Sequence, residues 1–183
     1  MTLDSGMNWE TRWGPEVQML AAKIDLNQRL LRFGITPVTR DNLRHVLPIL
    51  SQHLVGITSR FYEFMRRFPE AQRVFDRHDT DRLRKRQQDH WYGLLACEFD
   101  QAYLLNALGV GHAHYHAKVP PSLYMAGYNF VVTDLLRLVA VEFKGGDIAA
   151  ASASISRVVM LDMSLALTAF MLDSLISAGP GQD

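Results

Sequence analysis

Seven histidines stand at positions 45, 53, 78, 90, 112, 114 and 116, and three of them alternate in the stretch that runs from Val110 to Tyr124. Metal binding is the chemistry this pattern suggests first. On a helix, His112 and His116 share one face at i, i+4, while His114 lies about 200° round from each, so the three cannot meet on one ion. A zinc site would take His112 and His116 with a third ligand from elsewhere. No Glu lies between them as in a metalloprotease helix, and no Cys is near. A haem site would take His114 instead, because a proximal ligand comes from the buried side of a helix and has its other ring nitrogen hydrogen-bonded. Val110, Ala117 and Lys118 leave that side partly apolar. The ordinary alternative for any of these residues, and for His112 and His116 above all, is a solvated surface imidazole.

The elements that must position these side chains are helical. Apolar residues recur at helical spacing along the chain, and no alternating run bounded by turn pairs marks a strand, so the fold class is all-α. Pro15 suits the first turn of a helix that reaches about Asp25, and Gly34 closes a second one. Thr39 is expected to cap a long helical stretch, Leu43 to Phe68, in which Pro48 and Gly56 mark kinks or a division in two. After Pro69 come a short helix to Phe75 and a helix capped by Thr80 that reaches Cys97. Segments from Asp100 to Lys118, Ser122 to Phe143 and Asp147 to Ser177 complete about eight helices, with breaks at Pro120-Pro121, Gly145-Gly146 and Gly179-Pro180.

A chain of 183 residues suits one domain and one core. Nineteen basic and nineteen acidic side chains balance, so no global field favours nucleic acid, and specificity must lie in a local pocket. Cys97 is the sole cysteine, which suits a reducing, cytoplasmic setting, and Met1 to Met7 do not read as a secretory signal. Val158 to Ile176 is long enough to resemble a membrane span, but Asp162 and Asp173 would be costly in lipid. It reads as a buried or oligomer-forming helix.

Three motifs resemble the globin-coupled sensors, bacterial haem sensors that control chemotaxis, kinase or cyclic-dinucleotide output. Val110-Gly111 precedes His114 by four and three positions, and Val119, Pro121 and Tyr124 follow it by five, seven and ten, a register that only His114 satisfies. The chain departs from the family at Tyr115-His116-Ala117, where Ala-Arg-Ile is common. Upstream, Phe61-Tyr62 resembles the aromatic-Tyr pair of the distal helix, whose phenol hydrogen-bonds the gas ligand. Asp81-Arg82-Leu83 resembles the start of the helix that roofs the haem. Protoglobins, which share the distal Tyr and an extra N-terminal helix, are the second choice within the superfamily.

The resemblance implies a globin fold with an extra helix before the first globin helix: an extension over residues 1–34, a sensor globin domain over 35–178 and a tail over 179–183. It implies haem iron on His114, with Tyr62 as polar donor and Leu83 as apolar gate. Arg86 and Gln87 stand where some relatives place a sixth iron ligand, so an open sixth position is expected, with Gln87 as a second polar contact and His90 as the candidate that could upset it. A lone Cys97 rules out the Cys-x-x-Cys-His attachment, which leaves non-covalent haem b. Phe61, Met65, Phe75, Trp91, Leu94, Tyr124 and Phe130 are candidate haem contacts, each with helix packing as its ordinary alternative. The implied ligands are O2, CO and NO. The implied partner is a second copy through the last two helices, where Ala149, Ala153, Leu161, Leu165, Ala169 and Leu172 could bury two faces. The expectation is a sensor rather than an enzyme. A haem enzyme such as a nitric oxide dioxygenase or peroxidase-like globin is one alternative, although no flavin or nicotinamide fingerprint is present to supply electrons. A metal-free helical interaction module is another.

Overall fold

Capping chemistry sets where the helices begin and end. In the computed structural model, which describes residues 13–178 and side chains through Leu172, α1 (Pro15–Ala22) opens on a proline at its first turn and α2 (Leu26–Arg32) on Asp25, whose carboxylate accepts the Gln28 amide. The first twelve residues of the expected extension and the tail at 179–183 lie outside the described residues. Gly34 closes α2 at φ 65°, a left-handed conformation that glycine takes without steric cost.

Helix α3 (Pro37–Met65) departs from expectation at its start and in its continuity. Thr36, not Thr39, is its N-cap, and Thr39 completes a reciprocal capping box. Pro48 does not divide it. An interior proline costs about 3 kcal/mol, but the stripe Leu43, Val46, Leu50, Leu54 and Ile57 is buried on both sides of it. Tertiary burial holds the helix straight through. After α4 (Pro69–Phe75), α5 (Thr80–Ala96) is capped by Asp79 rather than Thr80, through the Asp81 and Arg82 amides, and ends on Cys97 at φ 59°. Helix α6 (Gln101–His116) starts on Asp100, α7 (Pro121–Glu142) on the Pro120-Pro121 break, and α8 (Ile148–Ala178) is the longest. The described residues are all-α, with eight helices and no strand.

Helix α8 is the centre: α6 packs along it most extensively, α7 and α3 next, and α5 over a short stretch. The α6–α8 contact is backbone on backbone. A Cβ at Gly111 would lie 2.0 Å from the Ala166 carbonyl oxygen, and one at Gly109 would meet the Trp13 ring at 2.2 Å. Helix α8 is long and apolar enough to cross a membrane by length and composition, and half of that stretch is buried within this fold.

One charged residue sits on its buried face. Asp162 is 1% exposed and accepts hydrogen bonds from Tyr103 on α6 at 2.6 Å, from Tyr128 on α7 and from His90 Nε2 on α5 at 2.9 Å. Burial alone would raise the Asp162 pKa and lower that of His90, but their mutual attraction reverses both: the carboxyl is held below 3.8 and the imidazole above 6.5. The pair is therefore charged near neutrality.

Two outcomes follow. Gly111→Ala should cost about 1–3 kcal/mol, read as a lower urea midpoint, and an unchanged midpoint would mean that α6 and α8 separate freely. His90 contributes stability that is complete below its unfolded value of 6.5 and is lost as pH rises through its raised folded value. The stability gap between wild type and His90→Gln should accordingly be wide at about pH 5.5 and narrow at about pH 9. A gap that does not change with pH would show that His90 is neutral in the fold.

Candidate functional site

The histidine-rich end of α6 presents two faces, as helical spacing requires. His112 and His116 contact each other, ring centroids 4.3 Å apart, and among the described residues no three His, Cys, Asp or Glu side chains gather as a metal site. His114 faces the interior. Its Nδ1 lies 2.8 Å from the Val110 carbonyl oxygen one turn earlier. A carbonyl can only accept, so Nδ1 carries the proton and the Nε2 lone pair is left for another partner. Burial pushes the His114 pKa below 6.5, which keeps the ring neutral. The Tyr124 ring meets it edge-on with centroids 4.8 Å apart, and Phe170 packs behind Tyr124 at 5.8 Å. The Tyr124 hydroxyl donates to Tyr128 at 3.0 Å.

A second group forms where α3, α4 and α5 meet. Tyr62 is buried, with Phe61 edge-on at 5.3 Å and Phe75 tilted against it at 5.0 Å. The Arg84 guanidinium lies 5.4 Å from its ring centre. Burial pushes the Tyr62 pKa up to about 12 and the nearby Arg84 charge opposes only part of this, so the phenol keeps its proton and remains a donor. Leu83 and Gln87, both half-buried on α5, flank Arg84 in sequence.

The remaining candidates are distributed between packing and the site. Met65 and Leu94 are core residues. Trp91 is buried against Tyr128 at 5.5 Å, which places it in the Asp162 cluster. Phe61 reaches Phe130 at 6.2 Å, and Phe130 stacks on Phe64 at 4.9 Å. His90, the candidate sixth ligand, is engaged by Asp162. Sequence reasoning missed Asp162, Tyr128, Tyr103 and Arg84. An aspartate inside an apolar helix was the available signal, since a buried charge requires partners.

The donor set fits a haem. His114 is a half-buried neutral imidazole with its second nitrogen fixed by a backbone carbonyl, the arrangement of a metal-ligating histidine. On α5, Arg84 Nε and Gln87 Oε1 are buried without a hydrogen-bond partner, one turn apart, with the Arg84 guanidinium over the Tyr62 ring. Buried polar atoms left unmatched cost about 1–3 kcal/mol each, so a donor and an acceptor orphaned together indicate a polar occupant on that side. Helices α5 and α6 have no extended packing interface among the described residues.

Comparisons with known proteins agree with this geometry. The structure is similar to the globin domain of the Geobacter sulfurreducens globin-coupled sensor, with a TM-score of 0.72 and 16% identity over 79% of this chain and 96% of that one. At that identity the likeness establishes the globin fold. No curated protein matches the chain. The Protoglobin family model matches residues 22–175, a span that includes Tyr62, Leu83, His114 and Tyr124. The resemblance put globin-coupled sensors first and protoglobins second; the matching family model is Protoglobin and the similar solved structure is a globin-coupled sensor's globin domain. A globin fold, a fixed interior histidine and a match over most of the length lead to one conclusion: the chain belongs to the Protoglobin family.

Proposed function

We propose that this chain is a gas-sensing domain that binds dioxygen reversibly at a non-covalently held b-type haem and passes the ligand state through α6, α7 and α8 to a second copy and an output module. The observation that carries the reading is the His114 Nδ1–Val110 carbonyl bond, which fixes the tautomer and leaves Nε2 to face a ligand. When bound, haem would supply an iron that His114 Nε2 would hold and that could take up a diatomic gas.

The protein's own residues supply the rest. His114 stays neutral because it is buried, so it needs to lose no proton to serve as a ligand. Tyr62 keeps its proton, and a phenol donor in an apolar surround favours a ligand that gains partial negative charge. Arg84 and Gln87 add an unmatched donor and acceptor on the same side. His90 is held by Asp162, so a bound gas would meet no competing imidazole from α5. The reading is of a binding domain rather than an enzyme, working in the cytoplasm, where a lone Cys97 thiol is at home.

Exposed apolar side chains support a second copy as partner. Val141, Ile148, Met160 and Met171 stand out on α7 and α8, with Met171 66% exposed. The route from His114 to that surface runs through the α6–α8 backbone contact.

Absorption spectra of the protein reconstituted with haem test the proposal. His114→Ala should abolish or greatly weaken haem retention, while His112→Ala and His116→Ala keep it, and loss from His116→Ala instead would overturn the assignment. Tyr62→Phe should keep haem and the carbon monoxide affinity but weaken oxygen binding by about 1–3 kcal/mol, read from the oxygen dissociation rate. Gel filtration should give twice the chain mass. Steady turnover of nitric oxide or peroxide with a reductant would favour an enzyme over a sensor.

A further inference from the structure

The Asp162 cluster reaches Tyr124, whose ring lies against the proposed iron ligand, in two hydrogen-bonded steps. The Asp162 carboxylate, held below its ordinary pKa by His90, Tyr103 and Tyr128 and accepting from all three, has no proton to give. The short contact with Tyr128 therefore has the Tyr128 hydroxyl as donor. With its proton committed there, the Tyr128 oxygen can only accept from Tyr124, at 3.0 Å. The Tyr124 proton accordingly points toward Tyr128 and away from His114. Tyr124 meets the imidazole with its ring alone, 4.8 Å between centroids at 64°. One negative charge on α8 thus sets the direction of every proton in the chain Tyr124–Tyr128–Asp162.

We propose that Asp162 is a positioning residue for His114: it polarises the two tyrosines so that Tyr124 presents a fixed ring, and no hydroxyl proton, to the imidazole. This rests on the reading of His114 as the iron ligand. The imidazole's own hydrogen bond, to Val110, fixes one ring nitrogen and leaves the opposite edge of the ring to be held by packing. The Tyr124 ring, backed by Phe170, supplies the missing restraint. An acceptor that could also donate, such as an amide, would remove the directionality. Tyr124 would then be free to turn its hydroxyl toward the histidine.

The test is the iron–histidine stretching band in resonance Raman spectra of the ferrous haem-loaded protein. Wild type should show one sharp band that His114→Ala loses. If His114→Ala keeps it, the ligand assignment falls and this proposal with it, independently of the other variants. Asp162→Asn should shift and broaden the band. Tyr128→Phe, which cuts the relay but leaves Asp162 with His90 and Tyr103, should do the same, and it keeps the test alive if Asp162→Asn fails to fold. In a Tyr124→Phe background, Asp162→Asn should add no further shift. Tyr103→Phe removes a partner of Asp162 outside the relay and should lower the melting temperature while leaving the band in place. A wild-type band in Tyr128→Phe, or an equal shift in Tyr103→Phe, would overturn the proposal and reduce Asp162 to a structural charge.

Discussion

A carboxylate taken out of water inside an apolar helix loses several kcal/mol of hydration after relaxation of its surroundings, and Asp162 is tolerable on α8 only because three donors converge on it. Each comes from a different helix: His90 from α5, Tyr103 from α6 and Tyr128 from α7. The elements that contribute His114, Tyr124 and the α5 wall are thereby tied to one point on a fourth helix, α8. Apolar contacts are non-directional and would accept several registers between these helices. The carboxylate accepts one, because losing His90 removes its counter-charge and losing either tyrosine leaves a buried carboxylate lone pair unmatched.

The two walls of the site are electrostatically unlike. On the α6 side burial keeps an imidazole neutral with its lone pair available, and on the α3–α5 side burial keeps a phenol protonated beside an arginine. The same desolvation produces a lone-pair donor on one side and a proton donor on the other, since it disfavours whichever form of each group is charged. The unmatched Arg84 and Gln87 atoms add polarity to the second wall only.

The fold class, the helix count and most breaks were legible in the sequence because prolines, glycines and caps act locally. His114 and Tyr124 were legible through register, and the faces of the histidine trio through helical geometry alone. What escaped was decided at a distance. Pro48 reads as a break, yet α3 runs through it because Leu43 to Ile57 stay buried against other helices. Thr39 reads as a cap, and it is half of one, since Thr36 competes for the position from outside the apolar pattern. Asp162 was weighed only as a cost in lipid, because its partners lie 34, 59 and 72 residues away in the chain. Met65 and Leu94 went to the core and Phe130 to a stack with Phe64, the usual lot of apolar residues at helical spacing.

Where two helices meet through side chains, a small displacement of one is taken up by rotamer changes in between, and part of the motion dies there. Gly111 against the Ala166 carbonyl leaves no such slack. Helix α6 and the longest helix touch main chain to main chain, three residues before His114, so the joint behaves as a bearing without play. On the proposed reading, a tilt of α6 at His114 is passed to α8 with little lost in between, and the absence of a single methyl group sets the fidelity of that transfer.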